Sequence, residues 1–210
     1  MEQSYFTYNL KPNLSISDFF VGNANAEAYH SLVKATGISD KLSLVGPKKS
    51  GKSHLSLIWK KRFNSIIYNK DLNEVIKNNR NVLIDNLFDD MVEENIFHII
   101  NHCDLNRLKI LITSDISFNS YKFELKDLSS RLKTFNEVKI ELPDDQLLIN
   151  LMIKLFHDKQ IVVKNPEIFS YIINRVDRSY EKIFNLINKI DILLLKKNKQ
   201  LTIPLIKELI

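Results

Sequence analysis

Gly46-Pro47-Lys48-Lys49-Ser50-Gly51-Lys52-Ser53 is the stretch that decides the fold of this chain. It satisfies G-x-x-x-x-G-K-[ST] in full. An apolar run, Lys41–Val45, precedes it, and residues 54–63 follow with helical spacing (Leu55, Ile58, Trp59, Arg62). A strand, a glycine-flanked loop and a helix, in that order, form a phosphate cradle. Gly46 and Gly51 permit a close backbone approach that a side chain would block. Successive N–H groups then line an anion-binding concavity at a helix N-terminus. Lys52 is expected to reach the β and γ phosphates and Ser53 to put its hydroxyl on Mg²⁺. Pro47, Lys48, Lys49, Ser50 and His54 complete the expected nucleotide contacts.

The loop stands out because glycine is scarce. The 210 residues hold four glycines, where average usage predicts roughly fifteen. Collagen-like, linker-like and glycine-punctuated all-β readings are excluded. Of the other two, Gly37 follows residues 23–36, whose helical spacing (Ala26, Tyr29, Leu32, Val33) makes it a candidate C-cap. A composition 44% hydrophobic and 26% charged is globular. A net charge of +5 is weak support for a polyanion partner. The run Lys196, Lys197, Lys199 reads as a solvated helix end. Lysine far outnumbers arginine, which makes each arginine the more informative residue. No apolar run is long enough to span a bilayer. The N-terminus lacks the pattern of a signal peptide. With one cysteine, Cys103, no intramolecular disulfide is possible, and a cytoplasmic location is expected.

Outward from the loop, short apolar runs alternate with helical patterns. Strands are expected at 41–45, 65–68, 81–84, 109–113 and 138–142. Helices are expected at 54–63, 88–103 and 125–132. This alternation implies βαβ units and a parallel sheet. After Pro143 the segments 144–160, 166–176, 179–197 and 203–210 are all helical in period. The expected organisation is an extended arm at 1–15, an α/β nucleotide-binding domain at 16–142 and an all-helical domain at 143–210.

A metal site needs a carboxylate, and Val82-Leu83-Ile84-Asp85 supplies one at the end of an apolar strand, where α/β folds place ligands. Asp85 is expected to hold Mg²⁺, partly through water. The next residue is Asn86. An amide cannot accept a proton from attacking water, so intrinsic hydrolysis is expected to be weak or absent. Elsewhere His98-x-x-x-His102 has metal-ligand spacing, but no third ligand accompanies it. Cys103 lacks the partners of a nucleophile.

Together these segments resemble the AAA+ module of the DnaA/Hda family of bacterial replication proteins. They are most similar to its short regulatory branch. Asp18-Phe19-Phe20-Val21-Gly22-Asn23-Ala24-Asn25 resembles the family box that lines adenine, implying roles for Phe20, Val21 and Asn25. Asp85-Asn86 resembles the Asp-Asn pair of Hda. Leu111-Ile112-Thr113-Ser114-Asp115 resembles sensor 1, with Asp115 as its acid. Asp127-Leu128-Ser129-Ser130-Arg131-Leu132 is similar to box VII and puts Arg131 on the arginine-finger position. Strict register puts Glu181 where the family has the sensor 2 arginine. Arg178, one turn earlier, is the residue that can act instead. Gln3, Phe6 and Tyr8 resemble a degenerate sliding-clamp-binding peptide.

The resemblance implies an AAA+ P-loop fold with a parallel sheet and a helical lid. ADP or ATP with Mg²⁺ is expected between the two domains. It implies a cytoplasmic regulator that docks on the DNA polymerase III sliding clamp and stimulates ATP hydrolysis by the initiator DnaA through Arg131 in trans. No counterpart of the initiator's DNA-reading domain is expected, so neither is direct sequence-specific DNA binding. Membrane contact is not expected, and a homo-oligomer is compatible. The alternative is an autonomous AAA+ ATPase of the helicase-loader type.

Overall fold

A computed structural model of the chain describes residues 16–37, 39–89, 91–197 and 200–210. The clamp-peptide residues Gln3, Phe6 and Tyr8 and the expected arm at 1–15 lie outside these, as does Lys199.

The strand before the phosphate loop is β1, Lys41–Val45, buried from Leu42 onward. A strand covered on both faces reads as a continuous apolar run, and Leu42-Ser43-Leu44-Val45 is close to that. The other strands are β2 (Ile66–Ile67), β3 (Val82–Ile84), β4 (Ile110–Ser114) and β5 (Asn136–Lys139). All pair in parallel, in the order β2-β3-β4-β1-β5. The intervening helices are α1 (Ala26–Tyr29), α2 (Lys52–Phe63), α3 (Leu72–Asn78), α4 (Glu93–Asn106) and α5 (Lys126–Leu132). The alternation read from the sequence is therefore the architecture, and the parallel α/β expectation holds. One cluster of buried residues includes Val82, Ile84, Ile96, Ile99, Ile100, Ile110, Ile112 and Leu128. In α2, Leu55, Ile58 and Trp59 are buried.

Residues 23–141 form one compact unit, and residues 142–210 together with 16–22 form a second. The second unit holds α6 (Asp145–Asp158), α7 (Glu167–Ile173), α8 (Tyr180–Lys197) and α9 (Ile203–Lys207). Met152, Phe156, Ile168, Ile172, Ile183, Ile187 and Ile206 form its core. Asp144 caps α6 by accepting from Leu147 N–H at 2.7 Å. Residues 16–22, expected with the α/β domain, group here with the helices. Lys154 Nζ donates to the Asp18 carbonyl at 2.8 Å, and a Cβ on Gly22 would touch Leu147. No helix among the described residues is long and apolar enough to cross a membrane.

Three local readings need correction. The helix expected at 23–36 is one turn of α-helix, α1, followed by a π-helical segment, His30–Lys34. Arg62 closes that segment by donating to the carbonyls of Leu32 and Ala35. Gly37 is not a left-handed C-cap; Gly51 alone of the glycines has positive φ. The helix expected at 88–103 begins at Glu93. Phe88 and Met91 pack on the core from a loop, and their spacing imitates a helical period. Finally, α3 carried no amphipathic signal, because Val75 is its one buried residue. Its signal is polar: Asp71 accepts from Asn73 N–H and Glu74 N–H at 2.9 and 3.2 Å.

An N-cap of this kind is worth about 1 kcal/mol. Asp71→Ala is expected to lower the urea midpoint accordingly, with an unchanged slope, and Asp71→Asn to retain most of the stability.

Candidate functional site

Parallel pairing sets the C-terminal ends of three strands side by side. Val45 pairs with Ser114 and Ile84 with Ile112. The loop 46–53, Asp85 and Asp115 therefore leave the same edge of the sheet. Backbone bonds tie the strand exits together: Gly46 N–H donates to the Ser114 carbonyl at 3.2 Å and Leu87 N–H to the Thr113 carbonyl at 2.8 Å.

Each loop glycine has its own reason. A Cβ at Gly46 would lie 2.9 Å from Ile140 Cβ and 3.1 Å from the Ile140 carbonyl oxygen, so no side chain fits. Gly51 has φ of 94°, a conformation L residues rarely adopt. The first helical bond of α2 runs from Leu55 N–H to the Gly51 carbonyl. The amides of Lys52 and Ser53 precede it and form the electropositive end of the helix. Lys52 is buried at 8% exposure. Its Nζ donates to the carbonyls of Gly46 and Pro47 and to Asp115 Oδ1, at 2.8, 2.9 and 2.7 Å. The lysine and the acid of the sensor-like segment thus form one ion pair beside the loop.

The sequence reading passed over Thr113. Its fully buried hydroxyl donates to Asp85 Oδ1 at 2.6 Å and accepts from Asn86 N–H at 2.7 Å. The carboxylate that a metal would use is therefore oriented by β4. Asn86 sits at φ of 57°, in the left-handed region that asparagine tolerates better than most residues. A buried polar residue near the C-terminal end of an apolar strand was the available signal for Thr113.

Arg131 lies elsewhere. Its Nη1 donates to Asp104 Oδ2 at 2.9 Å, and its guanidinium stands over the Phe97 ring at 5.6 Å. Asp104 also holds Lys41 Nζ, at 2.7 Å. Lys41 opens β1, whereas the phosphate loop leaves its far end, about 13 Å along the strand. Arg131 is 40% exposed in its side chain.

In the helical unit Arg178 grips Asp145 with two bonds, at 2.5 and 3.1 Å, on an exposed surface. Among the described residues, Asp145 is the ion-pair partner of this arginine. Phe20 and Val21 belong to this unit and are exposed, while Asn25 is buried in the other. His102 gains no third ligand, since no three of His, Cys, Asp and Glu gather among the described residues. Cys103 is a core thiol, its pKa pushed up to about 12 by burial and by Asp104.

Residues 157–210 match the family described as "Hda, lid domain". No curated protein matches the chain in sequence. Among solved structures, it is similar to domain III of the Thermotoga maritima replication initiation protein DnaA, with 21% identity and a TM-score of 0.76, covering 95% of this chain and 96% of that one. AMPPCP-bound DnaA from Aquifex aeolicus is 19% identical at a TM-score of 0.66, with coverage of 87% and 66%. The Thermotoga maritima RuvB Holliday junction branch migration motor is 14% identical at 0.63, with coverage of 89% and 67%. At these identities the shared property is the fold. The chain thus shares the fold of these replication and branch-migration proteins, and its residues 157–210 match the Hda lid-domain family.

Two outcomes follow from the geometry. Thr113→Val strips the Asn86 amide of its acceptor and is expected to cost about 1 to 3 kcal/mol in chemical denaturation. Asp145 is held below its ordinary value of 3.8 by the hydrogen bond from Arg178. Its folded pKa lies below its unfolded one, so the pair stabilises the fold above the unfolded value. That stabilisation fades as pH falls through the folded pKa. In Arg178→Gln the Asp145 titration, followed by carboxyl NMR, is expected to move up toward 3.8.

Proposed function

We propose that this chain regulates replication initiation: it binds adenine nucleotide and offers Arg131 to a nucleotide held by the initiator DnaA. The observation that carries this reading is the position of Arg131. Its anchors, Asp104 and Lys41, stand at the start of β1, and the phosphate loop stands at its end. An arginine so placed has no route to phosphates in its own loop, and it remains partly exposed for a partner. Asn86, where a hydrolytic site needs a proton acceptor, supports the same division of labour. The chain binds, and a partner hydrolyses.

The donor chemistry fits a nucleotide with its metal. The α2 amides and Lys52 suit phosphate oxygens. Ser53 and Asp85 are exposed oxygen donors, the kind Mg²⁺ prefers. When bound, the metal would neutralise phosphate charge. Lys52 would exchange its Gly46 and Pro47 carbonyls for phosphate while Thr113 holds Asp85 in place. Gln3, Phe6 and Tyr8 are the residues proposed to dock on the sliding clamp. The similarity to an AMPPCP-bound DnaA supports adenine as the base.

Steady-state hydrolysis by the chain alone is expected to stay well under about one turnover per second. Faster turnover would favour the helicase-loader reading. With the initiator and clamp-loaded DNA present, initiator ATP hydrolysis should rise, and a finger acting in trans is worth about 10³ to 10⁵ in rate. Arg131→Ala is expected to keep nucleotide binding, measured by calorimetry, and lose the stimulation. Full stimulation by that variant would refute the finger assignment. Removing residues 1–10 is expected to abolish clamp capture.

A further inference from the structure

A further pocket lies wholly within the helical unit. Along α8, Lys182, Asn185, Lys189 and Ile192 fall at i, i+3, i+7 and i+10, one stripe of a helix about 15 Å long. They border a pocket of about 600 Å³ that also reaches Arg175 and Asp177, before α8, and Leu209 and Ile210, after α9. The opposite face of α8, with Ile183, Ile187 and Ile190, is spent on the core. The stripe therefore lies outside that core.

The chemistry of this pocket has two parts. Its floor is aliphatic, and Ile192 and Ile210 remain 52% and 48% exposed there. Its rim carries three cations, Arg175, Lys182 and Lys189, against one carboxylate, Asp177. Among the described residues none of the three cations has an ion-pair partner. The neighbouring acids Asp145 and Asp191 are taken by Arg178 and Lys159. Arg175 is also held in place, its guanidinium carbon standing over the Tyr171 ring at 3.9 Å from the centroid. That contact removes rotamer freedom that binding would otherwise have to restrict. Unpaired charge of one sign around an exposed apolar floor is complementary to a ligand carrying the opposite sign around an apolar anchor.

We propose that this pocket is a docking site for an acidic polypeptide segment with a central apolar anchor residue. The anchor occupies the aliphatic floor, carboxylates pair with Arg175, Lys182 and Lys189, and Asn185 and Asn188 supply amides for the segment's backbone. A nucleic-acid backbone also matches the cations. However, the lining holds no aromatic ring on which a base would stack, and its floor is aliphatic. This inference is independent of the nucleotide site and of Arg131.

Fluorescence anisotropy on the full chain tests it. The probe is a labelled peptide of alternating Glu and Ser around a central Phe-Leu pair. The wild-type chain should bind it, more weakly as salt rises. Binding should fall roughly tenfold or more when Lys182→Glu and Lys189→Glu are combined. Replacing the peptide's Glu by Gln, or introducing Ile192→Asp, should weaken it comparably. These positions are on the surface, and circular dichroism melting confirms that the variants fold. An absence of peptide binding overturns the proposal, as does an affinity unchanged by the charge reversals. An oligothymidylate that binds through Lys182 and Lys189 where the peptide does not would replace it with a nucleic-acid site.

Discussion

In-register parallel pairing of β1, β3 and β4 sets Val45 opposite Ser114 and Ile84 opposite Ile112. That register brings the phosphate loop, Asp85 and Asp115 to one edge, though they are far apart in sequence. A slip of one residue would turn every strand side chain to the opposite face and separate Thr113 from Asp85. The ladder is protected because these strands are buried on both faces, so a slip would also expose core. The bonds from Thr113 to Asp85 and Asn86, and from Lys52 to Asp115, are consequences of this alignment.

The same ladder separates two groups of charged residues by distance. Strand exits hold the groups suited to phosphate and metal, and strand entrances hold Lys41, Asp104 and Arg131. A rigid strand cannot fold back to unite them. Two ends of one sheet can therefore face different molecules without interfering. The helical unit extends this division, since the outer stripe of α8 is free of duties in its own core.

Scarcity of glycine shapes the backbone throughout. Left-handed positions at the ends of helices usually go to glycine. Here Asn64 and Asn79 close α2 and α3, and Arg107 closes α4. Asn86 serves the same need beside Asp85. Two of the four glycines stand where a side chain does not work: Gly46 for space, Gly51 for conformation. An asparagine-rich sequence thus sustains a fold that glycine ordinarily punctuates, because the asparagine side chain tolerates this region at modest cost.

By itself the sequence determined the glycine-flanked loop 46–53, the alternation of strands and helices, the all-helical C-terminal part and the amide following Asp85. These are local: they depend on backbone freedom at single residues, burial period within one segment, and the proton chemistry of one side chain. It misplaced α4's start because loop residues Phe88 and Met91 bury like helical ones, and it omitted α3 because one buried residue leaves no period. Tertiary structure alone decided that Thr113 aligns Asp85, that Arg131 stands away from its own loop, and that Arg178 grips Asp145. Each of those joins residues distant in the chain. Strand register and helix packing choose such partners, and no local pattern of hydrophobicity or charge encodes them.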